Sequence, residues 1–395
     1  MTRQHKILVV FGTRPEAIKL FPVIAALRAD PRFHPVVCVS AQHRGMLDQV
    51  LEIAGIVPDY DLDLMKPDQT LDGLTSALLN EVGRVMDTEH PDRVMVQGDT
   101  ATAMVGALAA YYRKIPVDHV EAGLRSGDIY QPWPEEVNRK IIGAMASLHF
   151  APTQTAAEAL TRENVDPGRI HVTGNTVIDA ALWASQQLQH TAWTSFMPPE
   201  VSALLKRYPG YPLLLVTAHR RENWGLRMQR IAAAVSGLLQ LHPHLTVVWP
   251  LHPNPAVRAD IHTALAGLPA LDRDRLCLTE PLAYPALIGL LQHCCFTLTD
   301  SGGIQEEASA LHKPVLILRE STERQELLEA GGARLVGTQV HQIVEDASEL
   351  LRDPVLRAAM QLQRSPFGDG LAAQRIADVL CQNQASLMST QKVTA

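Results

Sequence analysis

Short apolar runs that each stop at turn residues recur along this chain, and that rhythm limits its fold more than any other feature. The first run, ILVVF at 7–11, ends at Gly12-Thr13-Arg14-Pro15-Glu16, where Pro15 suits the first turn of a helix. The unit returns as PVVCVSA (35–41), VMVQGD (94–99), PVDHVEA (116–122), LHFAPT (148–153) and IHVTGN (170–175). Runs apolar on both faces are strands of a parallel sheet covered on both sides. Helix-favouring segments such as 71–86 and 101–112 separate most of them, and Leu20, Ile24 and Leu27 give the first helix an apolar stripe. Strand and helix in alternation predict a doubly wound α/β sheet, with ligands beyond the carboxyl ends of its strands. The polar residues cluster at those ends.

The rhythm breaks between 191 and 212, around Pro198-Pro199 and Pro209-Gly210-Tyr211-Pro212, then restarts with PLLLVTAHR, LTVVWPLHP, RLCLTEP, CFTLTDSGG and KPVLILRE. At 395 residues the chain exceeds what one core usually supports, so a second domain of the same class is expected, with a ligand cleft between the two. An amphipathic helix over 371–383 suits either domain, and the residues from Ala385 onward read as a frayed end.

Composition narrows the function. A net charge of −7 argues against a nucleic-acid surface while leaving room for a local basic pocket. The five cysteines are odd in number, lack metal-ligand spacing and read as reduced core residues of a cytoplasmic protein; the histidines are scattered, so no metal is expected. The amino-terminal stretch does not read as an export signal, and no apolar run is long enough to span a membrane.

At 294–311, a short strand, the turn Asp300-Ser301-Gly302-Gly303 and a helix start make the parts of an anion site, with diphosphate the natural tenant. Glu306 or Glu307, one turn in, could hold a ribose hydroxyl; an ordinary strand–helix turn without ligand is the alternative. Arg14 and Lys19 either bridge to phosphate or are solvated cations. Asp99, Glu121 and Glu135 or Glu136 fall at or after strand ends of the first domain, with Arg125 and Arg139 as available partners. Carboxylates gathered in a cleft suit general acid–base work; helix caps and salt bridges are the other reading, Asp99 before a helix above all. His219, beside Arg220 and Arg221, and His252 end strands of the second domain, where a proton donor and an anionic leaving group fit as well as a surface turn. Trp133 and Trp224 are expected to pack loops.

The motifs FGTRPEAIKL (11–20), AQHRGMLDQVL (41–51), GDTATAM (98–104), HVEAGLRSGD (119–128), PWPEEVNR (132–139), TGNTVIDA (173–180), TAHRREN (217–223) and DSGGIQEEA (300–308) closely resemble the non-hydrolysing UDP-N-acetylglucosamine 2-epimerases of bacteria, over nearly the whole chain. The resemblance implies two Rossmann-like domains in the GT-B arrangement, residues 1–180 with a returning 371–395, and 181–370. It implies interconversion of UDP-GlcNAc and UDP-ManNAc through elimination of UDP to 2-acetamidoglucal and re-addition, with no redox cofactor and no metal. Motif by motif it puts Asp99, Glu121, Glu135, His219 and Lys19 at catalytic positions, and Arg14, Ser301, Gly302, Gly303 and Glu307 around UDP. A second UDP-GlcNAc site, for activation, would use Gln42, His43, Gln69, Arg220 and His252, and a homodimer is implied. A hydrolysing epimerase that releases ManNAc and UDP, and an epimerase of a diacetamido nucleotide sugar, stay open. Gln97 stands where many members have His; with Asp99 in place, little consequence is expected.

Overall fold

The computed structural model describes residues 4–40, 44–65, 69–189 and 193–393, with backbone alone at 44–46 and 384–393. Two compact units result, Met1–Ala180 with Phe367–Ala395, and Ala181–Pro366. The returning segment therefore starts at Phe367, ahead of the expected 371.

In the first unit β1 (His5–Phe11), β2 (Phe33–Val39), β3 (Tyr60–Asp61), β4 (Arg93–Gln97), β5 (Val117–Val120), β6 (Leu148–Ala151) and β7 (Ile170–Val172) form one sheet in the order 3-2-1-4-5-6-7. Every pairing in it is parallel. In the second unit β8 (Leu213–Thr217), β9 (Thr246–Pro250), β10 (Leu276–Thr279), β11 (Phe296–Thr299), β12 (Val315–Ile317) and β13 (Ala333–Leu335) pair in the order 10-9-8-11-12-13, again all parallel. Both orders reverse at a switch point, between β1 and β4 in one sheet and between β8 and β11 in the other. The turns Gly12–Arg14 and Gly98–Thr100 flank the first, and His219–Arg220 and Asp300–Gly303 the second, where open α/β sheets leave a crevice for ligand.

The apolar runs are buried as two-faced strands require: Ile7, Leu8, Val9, Val10 and Phe11 are all fully covered. Leu8, Val10, Val94 and Val96 pack with Leu78, Val82 and Ala107 from the helices, and Trp249, Leu298 and Leu316 with Ile231, Val235 and Ile343 in the second unit. β3 and β13 gave no sequence signal, because each is a short edge strand stopped within two or three residues. The last helix runs Ala372–Val393, well past Asn383. The buried Asp179 carboxylate accepts from the N–H groups of Ala372 and Ala373 (3.3 and 2.9 Å), which caps that helix and ties it to the first unit. Among the described residues no helix is long and apolar enough to cross a membrane.

One buried carboxylate locks the first switch point. Thr13 and Glu16 form a capping box at the start of the helix Arg14–Ala29, with Glu16 Oε2 accepting from Thr13 N and Oγ1 (2.8 and 2.7 Å) and Gly12 N (3.1 Å). Its Oε1 accepts from Thr100 Oγ1 (2.8 Å), joining the turn after β1 to the turn after β4. Burial pushes the Glu16 carboxyl up from 4.5 to about 7, against the pull of the hydrogen bonds from Thr13, Thr100 and Gly12. The folded chain then holds this proton to higher pH than the unfolded chain does. Stability from this residue is full below about pH 4.5 and is lost as pH rises towards 7, by on the order of 3 kcal/mol. Glu16→Gln keeps the shape and removes the titration. Its melting temperature relative to the parent is expected to climb between pH 5 and pH 8; parallel profiles would contradict this assignment.

Candidate active site

At the first switch point three side chains converge on Glu121, which follows β5. Lys19 Nζ lies 2.5 Å from Glu121 Oε1, Asn175 Nδ2 donates to the same oxygen (3.1 Å), and Gln97 Nε2 donates to Oε2. The sequence arranges this locally. Gln97 ends β4 opposite Val120, so the next residue on β5's side is Glu121. Glu121 has a left-handed φ of +64°, unusual for a side chain of this kind and a conformation that a surrounding structure must enforce. Gly98 has φ +69°, and its carbonyl accepts from His119 Nε2 (2.7 Å). Burial holds the His119 imidazole well down, at about 3, so it is neutral near pH 7.

Asp99 does not cap the following helix. Thr100 does so, accepting from Ala103 N (3.0 Å), and leaves the Asp99 carboxylate to Arg139, whose Nε and Nη2 reach Oδ2 at 2.8 and 2.7 Å. Asn138 Nδ2 donates to the Asp99 carbonyl (2.8 Å). Arg139 also pairs with the fully buried Glu136 (3.0 Å), which accepts from the backbone N–H of Ser126 (3.1 Å). Glu136 is thereby committed to structure, while Glu135 stands half-buried at the start of the helix Glu135–Met145. Arg125 is no partner of this cluster. It bonds Glu163 at 2.9 and 2.7 Å, because the loop after β5 carries it outward to the helix Gln154–Arg162 and its end. Arg14 is the half-buried first residue of the helix after β1. Trp133 is 61% exposed.

The second switch point is built on Asp300, wholly buried and the residue before the glycine turn. Its carboxylate accepts from His219 N (3.0 Å), Arg220 N (2.9 Å) and Asn223 Nδ2 (2.9 Å), so the turn after β8 hangs from the turn after β11. Asp300 Oδ1 is 3.6 Å from His219 Nδ1, and Trp224 Nε1 donates to the His219 carbonyl (3.1 Å). Burial, Arg220 and His252 lower the His219 pKa while Asp300 works to raise it, leaving the ring neutral near pH 7. The His252 ring stacks at 6.4 Å on that of His219.

Ser301 precedes the helix Gly302–Ala310 and makes no side-chain cap bond, and the first N–H groups open at Gly302 and Gly303. A side chain at Gly302 would stand 2.7 Å from Arg324 Cζ. Arg324 is buried there between Glu306 (Nε to Oε1, 2.9 Å) and Glu323 (3.4 Å). Glu306 thus serves Arg324, and Glu307, buried one residue on, is the ribose candidate. Burial pushes the Glu323 carboxyl up, but Arg324 and Arg319 overcome it and hold it at about 2.

Of the residues expected to bind an activator, Gln42 and His43 lie outside the described residues. Arg220 and His252 adjoin His219, and Gln69 stands just before the helix Leu71–Glu89. Sequence reasoning passed over Asp300, Asn175, Asn138 and Arg324, since a polar residue in a turn carries no mark of what it will grip. The contact of the Gln97 amide with Glu121 was equally unreadable from the sequence.

Two parallel sheets, one with held carboxylates at its switch point and the other with a glycine turn and helix start at its own, define a two-domain Rossmann-like chain. Residues 25–381 match the family model of UDP-N-acetylglucosamine 2-epimerase. The chain is similar to UDP-N-acetylglucosamine 2-epimerase of Escherichia coli K12, 46% identical over 97% of this chain and 100% of that one. It is also similar to the crystal structure of Neisseria meningitidis UDP-GlcNAc 2-epimerase bound to UDP-GlcNAc (TM-score 0.87, 40% identity, 95% and 100% covered) and to a Staphylococcus aureus MnaA–UDP structure (0.87, 42%, 97% and 97%). The chain belongs to the UDP-N-acetylglucosamine 2-epimerase family.

Proposed function

We propose that this protein is a non-hydrolysing UDP-GlcNAc 2-epimerase that interconverts UDP-GlcNAc and UDP-ManNAc. The observation that carries the reading is the division of labour between the units: held carboxylates at one switch point, an open helix start with neighbouring cations at the other. A base of the first unit takes the proton from C2 of the sugar. The C1–O bond breaks, UDP leaves with the electron pair, and 2-acetamidoglucal remains. Protonation of C2 from the other face and attack of the UDP oxygen on C1 give the epimer, so every bond broken is remade.

The residues suit these steps. Glu121, Asp99 and Glu135 are the proton-handling set, with Lys19 2.5 Å from Glu121. UDP needs N–H donors and positive charge in place before the bond breaks, which Ser301, Gly302, Gly303 and Arg14 supply, with His219 beside the turn and Glu307 on the ribose. A second UDP-GlcNAc as activator on Gln42, His43, Gln69, Arg220 and His252, a homodimer and a cytoplasmic location complete the reading.

Product analysis tests it. Pure protein given UDP-GlcNAc is expected to reach a stable mixture of both nucleotide sugars, from either side, with no accumulation of free ManNAc. Irreversible build-up of ManNAc and UDP would replace it with the hydrolysing reaction.

A further inference from the structure

We infer that Gln97 is a positioning residue for Glu121, fixing which face of that carboxylate meets the reacting carbon. This rests on the reading of Glu121 as a proton-handling residue. Gln97 is 3% exposed at the end of β4, and its amide donates to Glu121 Oε2 while Lys19 and Asn175 hold Oε1. Lys19 and Asn175 bind one oxygen, about which a carboxylate can swing. A donor on the second oxygen, from a different strand, removes that freedom.

The choice of amide also has a consequence. Lys19 lies 2.5 Å from Glu121, and burial keeps His119 neutral down to about pH 3. Gln97 adds a donor with no titration of its own. Its hold on Glu121 is therefore the same at pH 6 as at pH 8.

Three proteins test this by deuterium uptake at C2 in deuterium oxide, with melting temperature and KM measured alongside. Gln97→Met fills the space without a donor. It is expected to lower kcat about a hundredfold, as a displaced catalytic group does, with KM within about twofold and melting within about 3 °C of the parent. Gln97→His restores a donor and is expected to recover most of kcat at pH 8. It should add a new fall in rate below about pH 6.5, where the imidazole gains charge beside Glu121. Gln97→Met with kcat within threefold of the parent would overturn the inference, and so would equal losses of kcat and melting temperature that Gln97→His does not rescue. If Gln97→Met does not fold, Gln97→His decides alone: the added ionisation supports the inference, and a profile like the parent's overturns it. A parent protein that takes up no deuterium would remove the underlying reading as well, which separates the two failures.

Discussion

Glu121→Gln is expected to lose deuterium exchange at C2 by at least about a thousandfold, while UDP affinity stays within about threefold of the parent. The amide has the carboxylate's shape but no basicity. It also sets a donor against donors, because its NH2 must face either Gln97 or the Lys19–Asn175 pair. Lys19 loses a counter-charge at 2.5 Å, so a lower melting temperature accompanies the loss of turnover. UDP affinity should survive because the proposed diphosphate donors, Gly302 and Gly303, belong to the other unit. Asp99→Asn is expected to lose exchange with a smaller change in melting, since Arg139 keeps Glu136 at 3.0 Å. Exchange in either variant at near the parent's rate would take that residue out of the mechanism.

The second large effect concerns the floor of the glycine turn. Arg324→Met is expected to destabilise the protein by about 3–5 kcal/mol, because Glu306 is 1% exposed and would lose the guanidinium it is buried against. UDP affinity should fall at least about tenfold, since Arg324 lies directly beneath Gly302 and the first N–H groups of the helix lose their support. The double variant Arg324→Met/Glu306→Gln removes the Glu306 charge as well, while Glu323 keeps Arg319 at 2.9 Å, and is expected to regain more than half of the lost stability without regaining affinity. Thermal melting and UDP titration of the three proteins check both halves. Single and double variants that melt together would show that the buried charge is not what Arg324 serves.

How much of this could be read from the chain follows from what each feature depends on. Runs such as ILVVF at 7–11 announce a buried parallel strand because covering both faces demands apolar residues at every position. The turn at 300–303 announces the helix that starts at Gly302, because glycine pairs and a helix start are local. Grip is not local. Asp300 reads as one more turn residue until β8 and β11 lie side by side and its carboxylate meets the N–H groups of His219 and Arg220. Glu136 and Glu135 are indistinguishable in PWPEEVNR, and only the helix direction buries one against Arg139 and leaves the other half-exposed. The contact of Gln97 with Glu121 is hidden for the same reason, being set by the pairing of β4 with β5. Edge strands such as Ala333–Leu335 exist by virtue of their neighbour, with little pattern of their own.

Deuterium uptake from solvent tests the central claim most directly, namely that carboxylates at the first switch point move a proton at C2 of the sugar. Pure protein incubated with UDP-GlcNAc in deuterium oxide is predicted to carry deuterium at C2 in both UDP-GlcNAc and UDP-ManNAc. Turnover that leaves C2 unlabelled would contradict the account.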